Sequence, residues 1–265
     1  MPPVICFIDD SPFELGIFRE CFIPNAPGLD FVIGSHYEQV KADLGDRQPC
    51  LFLLDLYGRD PNLPAAMPAK EELEAAMAGF SRLDDVYQGL NEYPGDKTNE
   101  FLKRLFHLAD GYRRLFYNAA RQAGQNLAYG LGNLEAVRRD YPAASAVAYT
   151  RKSLVWDAVE AVGAGVDGFF LKPDGPGDEA IRKTTRESTP ELMDQMAGTV
   201  TIRFTAHLKN LAPLLVQGGL SHEISNLAEP GKLSDDAKNV LGPGDIIFLN
   251  TAAEWWKYTG HSPLI

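Results

Sequence analysis

The sequence predicts an α/β protein built on a parallel sheet, and three observations indicate this class. First, residues 51–54 are four large apolar residues in succession, followed by Asp55. An unbroken apolar run is typical of a strand covered on both faces, as strands of parallel sheets are. Second, residues 4–8 form a similar run that ends at Asp9 and Asp10. Third, apolar residues recur at helical spacing after these runs, which predicts helices on the faces of the sheet.

The helices and strands can be placed in order along the chain. After the first strand, Ser11 and Pro12 predict the start of the first helix, because serine caps a helix and proline suits its first turn. Turn-forming residues at 24–30 end that helix. The same periodicities then predict a second strand at 31–34, a second helix at 37–44, a third helix at 131–140, a fourth strand at 144–150, a fourth helix at 152–162, a fifth strand at 168–171 and a fifth helix at 177–186.

Polar side chains stand at the ends of four of these apolar runs. Asp9 and Asp10 follow the first strand, and Asp55 follows the third. Thr150 ends the fourth strand, and Lys172 follows the fifth. Because ligands of open α/β sheets bind at the carboxyl ends of the strands, these groups are expected to share one site. Taken singly, each has an ordinary explanation: an aspartate as a turn residue, a threonine as a helix cap, a lysine as a solvated strand end.

Three carboxylates at one edge of a sheet predict a cation between them. Unit charges about 4 Å apart repel one another by several kcal/mol at the effective dielectric constant of a partly buried site. A hard divalent ion removes this repulsion, since carboxylates, waters and a backbone carbonyl supply the oxygen shell that Mg2+ prefers. The sequence therefore predicts Mg2+ as the cofactor of this site.

The order Asp-Asp, Asp, Thr and Lys at the ends of four apolar runs resembles the receiver domain of two-component response regulators. The resemblance covers residues 3–56 and 131–187. It implies a flavodoxin-like (βα)5 doubly wound parallel sheet with strand order 2-1-3-4-5, which carries a phosphorylatable aspartate.

The resemblance also implies a role for each residue of the predicted site. The roles are phosphoacceptor for Asp55, Mg2+ ligation by Asp9, Asp10, Asp55 and the backbone carbonyl of Tyr57, the switch hydroxyl for Thr150, the phosphate-pairing ammonium for Lys172 and the switch aromatic for Phe169. Lys172 and Pro173 match a Lys-Pro step of the family whose peptide bond is commonly cis.

These residue types suit the attack of a carboxylate on a phosphoryl donor. The nucleophile must be ionised, and an aspartate is already deprotonated at neutral pH, so no general base is required. The charge of the incoming phosphoryl group must be neutralised, which Mg2+ and Lys172 would do by positioning and electrostatics.

One segment departs from the family, because residues 58–130 intervene between the third strand and the third helix. Apolar residues at helical spacing run from Leu73 to Leu90 and again from Phe101 to Phe116, with turn-forming residues at 91–96 between them. We expect two helices packed as an antiparallel hairpin. The hairpin either buries only its own two apolar stripes, or it also shields the site, restricts access of the donor or carries the output surface.

The resemblance ends after Asp174, and the chain is divided into a receiver domain at 1–187 and a helical extension at 188–265. Thr189 and Pro190 predict the cap and first turn of a new long helix. Receivers often dimerise through the face formed by their fourth strand and fifth helix, so a symmetric homodimer is expected.

A second departure is Arg151, followed by Lys152, where the family has a small residue. These cations either narrow the access to the phosphoryl site or help to bind phosphate electrostatically, or they are solvated charges on the first turn of a helix.

Charge and composition exclude several classes of function. The 25 basic and 36 acidic residues give a formal net charge of -11, which argues against general affinity for nucleic acid or an anionic membrane. The three cysteines, Cys6, Cys21 and Cys50, lack metal-site spacing and are read as buried thiols in a reducing compartment. Neither a signal peptide nor a membrane-spanning run is recognised, so a cytoplasmic protein is expected.

The predicted function is that of a phospho-accepting response regulator in a two-component phosphorelay. Its expected partners are a sensor histidine kinase or phosphotransfer protein and a second copy of the chain. Its only expected catalysis is phosphorylation and dephosphorylation of itself. The alternatives are a phosphatase of the haloacid-dehalogenase type, which expects Asp-x-Asp after its first strand, and a receiver-like binding or scaffold module.

Overall fold

The computed structural model describes residues 2–59, 66–151 and 155–260. The chain forms two compact units, one of residues 1–58 and 127–265 and one of residues 59–126. We call the first the sheet unit and the second the inserted unit. In the described part of the chain, none of the helices combines the length and the apolar character that crossing a lipid bilayer requires.

The sheet unit contains five parallel strands. They are β1 (Val4–Ile8), β2 (Asp30–Gly34), β3 (Pro49–Leu54), β4 (Ser145–Thr150) and β5 (Gly168–Leu171). Their order across the sheet is β2-β1-β3-β4-β5, as predicted. The predicted α/β class and the strand order 2-1-3-4-5 are therefore confirmed. Every residue of β1, β3 and β4 is buried, which explains why their sequences consist mainly of apolar residues.

The register of the strands aligns their carboxyl ends. Ile8 of β1 pairs with Leu54 of β3, and Leu54 pairs with Ala148 of β4. Thr150, the last residue of β4, pairs with Leu171 of β5. The residues that follow these positions therefore leave the sheet at one edge.

Helices cover both faces of the sheet. The helices of the sheet unit are α1 (Pro12–Ile17), which continues into the turns Phe18–Phe22 and Ile23–Asn25, α2 (Tyr37–Leu44), α6 (Ala128–Asp140), α7 (Val155–Gly163), α8 (Asp178–Gln217), α9 (Asp235–Leu241) and α10 (Pro243–Thr259), with the 3-10 segments Ser221–Ala228 and Pro230–Lys232 between α8 and α9. Helix α2 contacts β1 and β2, α6 contacts β3 and β4, and α7 contacts β5. Helix α8 contacts β4 and β5, and α10 contacts β3. The predicted start of the fourth helix at Lys152 lies outside the described residues, and α7 begins at Val155.

The C-terminal helices share one hydrophobic core with the strands. Phe7 of β1 and Leu53 of β3 belong to the same buried cluster as Phe204 of α8 and Trp255 of α10. Burial of such large aromatic side chains makes a substantial contribution to stability, and truncation of a buried Phe or Trp to Ala typically costs about 3–5 kcal/mol. The division of the chain into domains at residue 187 stays a prediction, although a single helix crosses that position.

The predicted start of a new helix at Thr189 is wrong, because α8 runs without interruption from Asp178 to Gln217. Pro190 removes one backbone donor inside this helix, which normally favours a break. Buried residues nevertheless recur along α8 on both sides of the proline, including Ile181, Met193 and Val200. Packing of this continuous stripe outweighs the local cost of the proline.

The inserted unit is helical, as predicted, but its first half differs from the prediction. It contains α3 (Lys70–Ala78), α4 (Leu83–Tyr87) and α5 (Lys97–Gln122), and both α3 and α4 contact α5. The first apolar stripe thus forms two helices instead of one. Phe80 lies between them and packs edge-on against Tyr112 of α5, with ring centroids 5.5 Å apart, next to Gly111. The short strands Gly58–Arg59 and Gln125–Asn126 pair at the ends of this segment.

The three cysteines are buried free thiols, as predicted. Burial raises the pKa of Cys6 and Cys50, which keeps both thiols protonated. The Cys50 thiol donates to the carbonyl of Val4, 3.1 Å away.

Candidate functional site

Four strands deliver their polar end residues to one edge of the sheet. Asp9 directly follows β1, Asp55 follows β3, Thr150 ends β4 and Lys172 follows β5. All four side chains are buried. The predicted convergence of the strand ends is therefore seen in the structure.

Lys172 connects two of the acidic residues. Its Nζ lies 2.8 Å from Oδ1 of Asp55 and also pairs with Oδ2 of Asp9. The ammonium lies over the rings of Phe7 and Tyr149, 5.6 Å and 5.9 Å from their centroids. Aromatic faces and two carboxylates thus compensate a cation that is only 6% exposed.

Asp9, Asp10 and Asp55 form a group with the composition of a divalent-cation site. One carboxylate oxygen of each lies within 4.8 Å of the others. Asp9 and Asp55 are buried, and Asp10 is half-buried. Oxygen ligands at this separation suit a hard divalent cation such as Mg2+. The single positive charge of Lys172 is smaller than the charge of three ionised carboxylates, so a divalent cation would be favoured at this group.

Burial raises the pKa of the Asp9 carboxyl to about 7, with Lys172 opposing the rise and Asp55 adding to it. Asp9 also accepts a hydrogen bond from the backbone N–H of Ser11, at 2.9 Å. A carboxyl group with a raised pKa in the folded protein costs stability when the unfolded chain ionises first. The cost begins near pH 4, grows as the pH rises and is complete above pH 7.

We therefore expect Asp9→Asn to stabilise the protein above pH 7 in the absence of divalent cations. Because the raised pKa penalises the ionised form of Asp9, the gain relative to the wild type is expected to grow as the pH rises from 5 to 8. Urea unfolding in chelator at pH 5 and pH 8 measures this effect. Asp46→Asn, at an exposed position, serves as the control. An equal loss of stability between pH 5 and pH 8 in the wild type and Asp9→Asn would contradict the explanation.

Thr150 presents an unused hydroxyl at the same edge. The side chain is fully buried, and its Oγ1 has no hydrogen-bond partner among the described residues. A buried hydroxyl without a partner is costly and uncommon in a folded protein. This atom is suited to bond an oxygen of a group placed beside Asp55.

Tyr57 and Phe169 are the two remaining residues of the predicted site. The Tyr57 side chain is buried, and its hydroxyl donates a hydrogen bond to Oδ1 of the buried Asp157 on α7, at 2.9 Å. This bond anchors the loop after Asp55, whereas the role of the Tyr57 carbonyl as a metal ligand stays a prediction. Phe169 is half-buried on β5, opposite Ala148, and its switch role likewise stays a prediction.

The implied cis peptide bond is absent, because the bond between Lys172 and Pro173 is trans. The Arg151 side chain is 18% exposed, and among the described contacts it pairs with acidic residues outside the group of Asp9, Asp10 and Asp55. Its guanidinium pairs with Glu14 of α1 at 3.1 Å and with Asp174 at 3.0 Å, and it donates to the carbonyl of Pro173. Arg151 therefore connects the end of β4 to α1 and to the segment after β5, and Lys152 lies outside the described residues.

Sequence reasoning missed a group of residues at the start of α6. Gly130 packs so closely on the acceptor strand end that a Cβ there would lie 2.6 Å from the carbonyl oxygen of Asp55. The ring of Tyr129 packs on the backbone of Gly58, where a Cβ would overlap it. The Tyr129 hydroxyl donates to the carbonyl of Ser35 at 2.6 Å. The only sequence signal is the glycines, Gly58 and Gly130, which flank the insertion.

Proteins similar to this chain are found among solved structures. No family model and no curated protein matches the sequence. Solved structures that match include a CheY-like response regulator receiver domain protein from Methanospirillum hungatei JF-1, at 13% identity, 74% coverage of this chain, 99% coverage of that chain and a TM-score of 0.34.

Two further matches are response regulators. One is from Burkholderia pseudomallei, with a phosphorylated aspartic acid, calcium ion and citrate. It is 13% identical, the match covers 85% of this chain and 91% of that chain, and the TM-score is 0.33. The other is RcsB from Salmonella enterica serovar Typhimurium, bound to promoter rprA in the presence of phosphomimetic BeF3-. It is 13% identical, the match covers 93% of this chain and 97% of that chain, and the TM-score is 0.33. Each of these matching proteins is described as a response regulator or receiver domain, or is bound to a phosphomimetic, and the sequence of this chain resembles that class. The roles of individual residues rest on the site geometry alone.

Proposed function

We propose that this chain is a phospho-accepting response regulator and that Asp55 is its phosphoacceptor. The observation that carries the proposal is the convergence of three carboxylates, the Lys172 ammonium and the unpartnered Thr150 hydroxyl at one sheet edge. Each group matches a demand of phosphoryl transfer to a carboxylate: a nucleophile, a cation to neutralise charge and a donor for a phosphoryl oxygen.

In the proposed reaction, a carboxylate oxygen of Asp55 forms a bond to the phosphorus of the donor. The bond from phosphorus to the leaving group breaks, and the leaving group departs with its electron pair. Lys172 holds the carboxylate in place and then pairs with the phosphoryl oxygens, while the Thr150 hydroxyl donates to one of them. A divalent cation held by Asp9, Asp10 and Asp55 would offset the additional negative charge.

Hydrolysis restores the starting state. The oxygen of a water molecule forms a bond to phosphorus, the bond from phosphorus to Asp55 breaks, and inorganic phosphate leaves. Asp55 returns to the carboxylate form, and the water proton passes to phosphate or solvent.

The proposed output is contact with protein partners. Apolar side chains on α7 and β5 are exposed, including Val159, Val162 and Leu171, and such residues are typical of interaction surfaces. A homodimer through the face formed by the fourth strand and fifth helix, together with a histidine kinase or phosphotransfer protein as donor, follows from the resemblance. The net charge of -11 supports an output other than nucleic-acid binding.

The arrangement favours this function over a haloacid-dehalogenase-type phosphatase. That class expects Asp-x-Asp after its first strand, whereas Asp9 and Asp10 are adjacent and the isolated Asp55 follows β3. The role of the inserted unit stays a prediction. Unchanged phosphorylation and dephosphorylation rates after deletion of residues 60–125 would exclude its control of the site.

Incubation with acetyl phosphate and Mg2+, followed by intact mass measurement, tests the proposed function. We expect one phosphoryl group on the wild type and on Asp46→Asn, and none on Asp55→Asn, because asparagine lacks the ionised nucleophile. Repeated turnover of p-nitrophenyl phosphate would support the phosphatase instead. Neither adduct nor turnover would support a binding or scaffold module.

A further inference from the structure

The phosphoacceptor side chain is almost closed off from solvent. Asp55 is 5% exposed, and Asp9 and Thr150 beside it are buried. A phosphoryl donor must reach a carboxylate oxygen of Asp55 in line with its leaving group, and a hydrolytic water must later reach the phosphorus. Some group at this edge therefore has to move before either reaction.

Tyr129 is placed to be that group. Its ring packs on the backbone of Gly58, three residues after Asp55, and its hydroxyl donates to the carbonyl of Ser35 at 2.6 Å. The side chain thus extends from the loop that follows β3 to the loop that follows β2. The first of these loops follows Asp55, and the second lies beside the strand that carries Asp9 and Asp10.

The backbone beside Tyr129 is held by contacts that do not involve its side chain. Gly130, the next residue, donates its N–H to the carbonyl of Leu56 at 3.1 Å and packs directly on the backbone of Asp55. The side chain of Tyr129 is only half-buried, and its hydroxyl donates to the loop carbonyl of Ser35 and lies beside the Asn133 side chain of the same helix. Rotation of the side chain would break the bond to Ser35 and the packing on Gly58, whereas the backbone contacts of Gly130 would remain.

Electrostatics agree with a position close to the carboxylates. Burial raises the pKa of the Tyr129 hydroxyl, and the negative charges of Asp9, Asp10 and Asp55 raise it further. The hydroxyl therefore remains protonated and acts as the donor to Ser35.

We propose that Tyr129 is a gate over the acceptor, which admits phosphodonor and hydrolytic water to Asp55 only when its side chain swings away from Gly58 and Ser35. The proposal rests on the proposed function of Asp55. It makes Tyr129 a positioning residue that sets how fast the phosphoryl group arrives and how long it persists. Tyr129 takes no part in bond making or breaking.

The test is to measure two rates in the full chain with Mg2+: phosphorylation by acetyl phosphate, and loss of the phosphoryl group after removal of the donor. Tyr129→Ala removes the ring, and both rates are expected to rise by about tenfold, equivalent to a barrier lower by about 1.4 kcal/mol. Tyr129→Phe keeps the ring on Gly58 but lacks the bond to Ser35, so a smaller rise of about threefold is expected in both rates.

Tyr141→Ala is the matched control, because Tyr141 follows the other end of α6 and contacts Phe52 instead of the site. Its two rates are expected to equal those of the wild type. Unchanged rates in Tyr129→Phe and Tyr129→Ala, or an equal acceleration by Tyr141→Ala, would overturn the gate. If the wild type forms no adduct, the proposed function itself fails. If Tyr129→Ala does not fold, the rates of Tyr129→Phe decide.

Discussion

Lys172→Met is expected to lower the free energy of unfolding by about 3–5 kcal/mol at pH 7.5 in the absence of divalent cations. Lys172 is the cation between the buried carboxylates of Asp9 and Asp55. Methionine retains an apolar chain of similar length, so the change removes charge with little loss of packing. Both carboxylates would then be buried without the ammonium, which is the costly outcome for a broken buried ion pair.

The pH dependence distinguishes this explanation from a packing defect. Protonation removes the repulsion between the carboxylates, so the defect of Lys172→Met is expected to shrink between pH 7.5 and pH 5 in urea unfolding. Lys41→Met is the control, because Lys41 pairs with Asp140 while 45% exposed and exposed pairs contribute about 0–1 kcal/mol. A defect of Lys172→Met that is the same at both pH values would contradict the electrostatic account.

Gly130→Ala is expected to destabilise the sheet unit by about 2–3 kcal/mol and to slow phosphorylation. A Cβ at residue 130 would lie 2.6 Å from the carbonyl oxygen of Asp55 and 2.6 Å from Cα of Leu56. These are backbone atoms of the acceptor segment, which cannot move aside as a flexible side chain would. Either α6 shifts away from the sheet or the backbone of Asp55 moves, and both changes disturb the site.

Gly132→Ala provides a control on the same helix. A Cβ at residue 132 meets nothing within 4 Å, and alanine in a helix is favoured over glycine by about 0.5–1 kcal/mol. Gly132→Ala should therefore be neutral or stabilising in thermal unfolding and phosphorylate normally. Equal stability of the Gly130→Ala and Gly132→Ala variants would show that the close approach of α6 to Asp55 is not required.

The strands and their polar ends could be predicted from the sequence because each is a local signal. A strand buried on both faces needs an unbroken apolar run, and a carboxylate directly after it can only lie at the sheet edge. The sequence order of Asp9, Asp55, Thr150 and Lys172 therefore contained most of the candidate site.

The remaining features depend on packing between segments distant in sequence. The break predicted at Thr189 fails because the buried stripe of α8 continues past Pro190. Phe80 fits a helical stripe by spacing, yet it fills the space beside Gly111 between two helices. Tyr129 gives no signal in the sequence, since its position over Gly58 depends on where the chain returns to the sheet after the insertion.

The most direct measurement of the central claim is the identity of the phosphorylated residue. Borohydride reduces an aspartyl phosphate to homoserine, and peptide mass mapping after treatment with acetyl phosphate and Mg2+ locates that residue. We expect homoserine at position 55 in the wild type and in Tyr129→Phe. Homoserine at position 9 or 10, or its absence from a protein that gains phosphate, would contradict the assignment of Asp55 as the phosphoacceptor.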